Sequence, residues 1–74
     1  MSTRTFTAWV QKEDGAWVAL CPELDVASQG STIEEAKQNL REAVELFLET
    51  ASPEEIQQRL HGETYLSPLE VRVD

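Results

Sequence analysis

Across residues 33–51 apolar side chains return every three or four positions: Ile33, Ala36, Leu40, Ala43, Val44, Phe47, Leu48 and Ala51. Glu34, Lys37, Gln38, Arg41, Glu45 and Glu49 fill the positions between them. This is the stripe of an amphipathic helix with one buried face. Thr32 stands where an N-cap belongs, and Glu35 three residues later completes a Thr-x-x-Glu capping box. Gly30 supplies a permissive, flexible residue just ahead of that start. No other stretch is as long or as regular, so the remaining elements are expected to pack on this helix.

Upstream the period changes to two. Residues 3–12 alternate, with Phe6, Ala8 and Val10 on one side and Thr5, Thr7, Trp9 and Gln11 on the other. Glu13-Asp14-Gly15 reads as a three-residue hairpin loop, and residues 16–21 as the returning strand. That closure pairs Lys12 with Ala16, Val10 with Val18 and Ala8 with Leu20. It places Phe6, Ala8, Val10, Val18 and Leu20 under the helix, and Trp9 and Trp17 together on the opposite face with Ala19 and Cys21. Pro22 breaks the strand, and residues 25–29 form a short third one. Ser52-Pro53-Glu54-Glu55 starts a second helix with a serine cap, a proline and acids in the first turn. Ile56 and Leu60 give it a small apolar face, Gly62 ends it, and His61 is a favourable charge at that end. Residues 64–68 read as a loop and residues 69–74 alternate as a last strand. The predicted order is β-β-β-α-α-β in one domain over residues 1–74, an α+β fold whose mostly antiparallel sheet carries one long helix on one face.

Fourteen acidic residues against six basic ones leave a formal charge of −8. Direct nucleic-acid binding needs a basic footprint and is not expected; a basic protein partner suits this charge. One cysteine, Cys21, precludes an intrachain disulfide. The first residues carry no signal-peptide core and no apolar run approaches membrane length, so a cytoplasmic location without a membrane partner is expected. His61 and Cys21 lie in separate elements with no ligand spacing around either. Asp14, Glu23 and Asp25 are the carboxylates nearest to a divalent-metal cluster, yet Asp14 is explained by its turn, while Glu23 and Asp25 flank a loop. No catalytic, metal or cofactor-binding residue is expected.

The run Trp17-Val18-Ala19-Leu20-Cys21-Pro22-Glu23-Leu24-Asp25-Val26-Ala27-Ser28-Gln29-Gly30-Ser31-Thr32-Ile33-Glu34-Glu35-Ala36, followed by Asn39-Leu40 and Glu42-Ala43, resembles the HicB-like antitoxin family. In that family a hairpin ends in a Pro-Glu-Leu turn, a short strand follows, and a Gly-x-Thr-x-x-Glu-Ala start opens the helix. The resemblance covers residues 4–50. It implies a partial RNase H-like fold and a non-catalytic protein that occludes a small basic RNA-cleaving toxin of the HicA type. Many members add a DNA-binding helix-turn-helix or ribbon-helix-helix module, which this chain is not expected to carry. A small core further predicts a homodimer or larger assembly. The expected protein-binding residues are Trp9, Trp17, Glu23, Leu24 and Asp25, with Leu24 as an apolar anchor that the core does not need. The alternatives are a homo-oligomeric binding module with another protein or ligand partner and, last, a metal-dependent nuclease.

Overall fold

The hairpin turn decides which side chains reach the core. In the computed structural model, which describes residues 3–60, 62 and 64–74, Asp14 and Gly15 both have positive φ, 48° and 82°. Two successive left-handed residues make the two-residue turn whose twist matches that of the strands, and Asp-Gly is among the pairs that adopt it most readily. β1 (Trp9–Glu13) and β2 (Ala16–Cys21) are therefore antiparallel with Glu13 opposite Ala16, Lys12 opposite Trp17, Val10 opposite Ala19 and Trp9 opposite Leu20. The expected three-residue loop is corrected, because Glu13 belongs to the ladder. A slip of one residue turns a strand over. Trp17, Ala19 and Cys21 thus face the helix, whereas Val18 and Leu20, expected in the core, face away from it.

β3 (Val26–Gly30) completes a three-stranded antiparallel sheet in the order β1-β2-β3. Two helices follow, α1 (Ile33–Thr50) and α2 (Pro53–Arg59), giving the expected α+β architecture. Both helix starts form as their sequences dictate. Thr32 Oγ1 accepts from Glu35 N–H at 3.0 Å and Ser52 Oγ from Glu55 N–H at 3.1 Å. The Glu35 carboxylate reaches one residue further back than a standard capping box and accepts from Ser31 N–H at 2.8 Å.

Ala36, Leu40 and Val44 are the buried face of α1, and they pack with Ala19, Cys21 and Leu24. Phe6, Val10, Trp17, Val26, Phe47 and Leu60 close the rim of this core. The layers sit close because the residues between them are small. A Cβ added to Gly30 would lie 2.6 Å from the backbone nitrogen of Ala36, so Gly30 is a close-packing position and not the flexible lead-in expected from its sequence. α1 packs over β3 and β2 and barely reaches β1. A sheet of three short strands is too narrow to cover the whole predicted stripe, and Ile33 and Leu48 stay exposed.

Among the described residues, 69–74 form no ladder with any strand, so the expected final strand is corrected, while the three-stranded sheet followed by two helices stands. A strand exists only against a neighbour that takes its backbone groups, and this segment has no ladder partner among the described residues. α2 ends at Arg59, with Leu60 as its C-cap; the expected role of His61 falls outside the described residues.

Candidate interaction surface

Leu24, offered by the sequence as an exposed anchor, is the largest fully buried side chain, at 0% exposure. The turn after β2 folds back on itself, with Asp25 at φ 54°, and carries Leu24 into the core beside Leu40. The turn is clamped from two sides. From the segment before β1, Thr7 donates its N–H to both Glu23 carboxylate oxygens, at 3.0 and 3.1 Å, and its hydroxyl at 2.7 Å. From α2, the Arg59 guanidinium donates to the carbonyl of Leu24 and, at 3.5 Å, to that of Asp25. Arg59 also lies 4.7 Å from the centroid of the Phe47 ring and 3.4 Å from the Glu55 carboxylate.

These partners set the chemistry of two groups. Partial desolvation works to raise the Glu23 pKa, but the hydrogen bonds from Thr7 outweigh it and hold the carboxyl below its ordinary value. Burial pushes the Cys21 thiol up, and its Sγ donates to Glu23 Oε1 at 3.5 Å. A thiol kept protonated in this way is a poor nucleophile. Asp14 sits in the turn at the other end of β2 from Glu23 and Asp25, a strand length of roughly 20 Å. The three carboxylates therefore form no common cluster. Among the described residues no three metal-ligating side chains come together, and no helix is long and apolar enough to cross a membrane.

The two tryptophans part company. Trp17, placed by the sequence on the outer face, lies on the helix side opposite Gly30, with the Lys12 ammonium 5.9 Å from its ring centroid. Trp9 is on the outer face as expected, 51% exposed. Its neighbours there are Val18, Leu20 and Ala27, with Gln11 and Glu13 at the edge, around a shallow hollow of about 290 Å³. Of the five residues expected to bind a partner, Trp9 and Asp25 face solvent, Glu23 is half-buried and engaged by Thr7, and Leu24 and Trp17 serve the packing. Val18 and Leu20 were missed as surface residues. The signal that reveals them is Asp14-Gly15, the strongest short hairpin motif in the chain.

The chain is similar to three small proteins of the cyanobacterium Synechocystis sp. It is 49% identical to UPF0150 protein ssr1765 over 47 residues, 61% of this chain and 60% of that protein. It is 50% identical to UPF0150 protein ssl0738 over 38 residues, 50% and 53% of the two chains. With UPF0150 protein ssr1258 the identity is 41% over 51 residues, 66% of this chain and 74% of the relative. The match thus spans 53–60% of the first two relatives and about three quarters of the third. No protein-family profile matches the chain, and no solved structure does.

Proposed function

This chain belongs to the UPF0150 family, and from that premise we propose that it is a non-catalytic antitoxin-type protein that binds and occludes a small basic RNA-cleaving toxin of the HicA type. The motif order that resembles the HicB-like antitoxins, from Trp17 to Ala43, supports this reading. The observation that carries it is the outer sheet face, where exposed Trp9 stands beside Val18 and Leu20 with no helix over them. A half-apolar aromatic anchor with a carboxylate, Glu13, at its edge is the kind of surface that seats a basic partner. The charge of −8 on the whole chain adds long-range attraction. The groups best suited to catalysis have structural duties instead: Glu23 holds Thr7 and Cys21 is buried.

The test uses a purified small basic RNA-cleaving protein of the HicA type, assayed for RNA cleavage with increasing amounts of the chain. Inhibition that saturates at a fixed stoichiometry is expected. Trp9→Ala speeds dissociation of the complex, and Glu13→Lys with Asp25→Lys slows association and flattens its salt dependence. Cleavage that continues unchanged in excess protein overturns the proposal.

A further inference from the structure

Among the described residues, one segment and one groove each lack a counterpart. Residues 69–74 alternate Leu69, Val71 and Val73 with Glu70, Arg72 and Asp74, the pattern of a strand with one face to bury. Leu69, Val71 and Val73 are nonetheless 86%, 69% and 87% exposed. The chain as a whole is extended, with a radius of gyration of 14.4 Å against about 11 Å for a compact chain of this length.

The groove lies between α1 and residues 3–8, beside the strand that α1 barely reaches, and holds about 950 Å³. Its floor is apolar, made by Phe6, Leu40, Val44 and Leu48. One wall is an unpaired strand edge. β1 is the outermost strand, and the alternation of an antiparallel ladder turns the backbone groups of Val10 and Lys12 away from β2. Thr7 directs its N–H to the β2 side, at Glu23, so the same alternation leaves Phe6 and Ala8 open on the free edge.

We propose that a second copy of this chain fills the groove: its residues 69–74 add as a strand along the free edge at residues 6–12, with Leu69, Val71 and Val73 turned toward Leu40, Val44 and Leu48. Strand addition to an open edge satisfies backbone groups on both partners. A two-fold axis makes the exchange reciprocal, so one arrangement closes both vacancies. Charge favours this groove over the rest of the surface. Arg4, Lys37 and Arg41, half of the six basic residues, line it against Glu34 and Glu45. In a chain of net −8 this is a locally basic place, by one charge, for a segment whose Glu70 and Asp74 outnumber Arg72.

Sedimentation of the full chain across the micromolar range, with isotope-filtered NMR on a mixture of labelled and unlabelled copies, tests the proposal. A dimer of twice 8.3 kDa is expected, with intermolecular contacts between residues 69–73 and Phe6, Val44 and Leu48. Val71→Asp puts a carboxylate on the face to be buried and is expected to weaken the dimer by roughly a hundredfold or more. Val71 is exposed in the single chain, so the variant keeps its fold, which circular dichroism verifies. A protein that stays monomeric, a dimer indifferent to Val71→Asp, or contacts from residues 69–73 found only within one chain each overturns it.

Discussion

The Glu23 carboxylate holds Thr7 by three hydrogen bonds, two from its N–H and one from its hydroxyl, across sixteen residues of sequence. One side chain in the turn after β2 thereby fixes the segment that leads into β1, and with it the position of Phe6 on the core rim. Its pKa is lowered in the folded protein from an ordinary value of 4.5: desolvation opposes the shift and the Thr7 bonds override it. A carboxyl depressed by folding stabilises the native state above its unfolded pKa, and that contribution disappears as pH falls through the folded value. Urea unfolding should therefore show stability falling as pH drops below about 4.5. Glu23→Gln should remove part of this dependence and cost about 1 kcal/mol at neutral pH.

Leu24→Ala should destabilise the protein by about 2–5 kcal/mol, the range for emptying a leucine site in a packed core. An exposed turn leucine would cost under about 0.5 kcal/mol. Chemical denaturation separates the two outcomes, and Leu40→Ala on the facing helix serves as the reference core truncation.

Gly30→Ala should be costly and Gly62→Ala nearly neutral. The added methyl at position 30 would lie 2.6 Å from Ala36 N and 2.9 Å from the Glu35 carbonyl carbon, backbone atoms that cannot step aside, whereas position 62 has nothing within 4 Å. Overpacking of this kind costs about 1–3 kcal/mol, and paired thermal melts measure the difference.

Cys21 should resist thiol reagents in the native protein and react fully once denatured. Its side chain is 1% exposed, and burial, with the neighbouring Glu23 carboxylate, disfavours the thiolate. Labelling kinetics should accelerate with denaturant in step with local opening. Rapid modification of the folded chain would show that the turn after β2 opens far more readily than its clamps imply.

The helix was legible because its information is local. Ala36, Leu40 and Val44 follow one another at four-residue steps, and the caps at Thr32 and Ser52 need only the next three residues. The sheet register was harder to read for a physical reason. β2 is Ala-Trp-Val-Ala-Leu-Cys, apolar on both faces, so alternation alone does not say which side the helix covers. Only the turn chemistry of Asp14-Gly15 decides it, and a loop one residue longer puts Trp17 on the opposite face. Leu24 and Arg59 were opaque for another reason. A lone leucine in a polar turn has no period, and Arg59 meets Leu24 across 35 residues, a relation no local spacing encodes. The outer hollow around Trp9 depends on the same register, since a three-residue loop turns Val18 and Leu20 inward. The last segment shows the strand pattern faithfully, but a pattern specifies only which face wants burial and not which edge provides it.

The opposed placement of Trp9 and Trp17 gives the protein two intrinsic optical reporters, one for each side of its sheet. The indole of Trp17 sits against the packed layer, so its emission tracks the integrity of the helix on the strands. Trp9 views the bare side, and a visitor there would shift its colour and shield it from an aqueous quencher. Because the two rings answer to different events, a single cuvette distinguishes a molecule that has been engaged from one that has come apart.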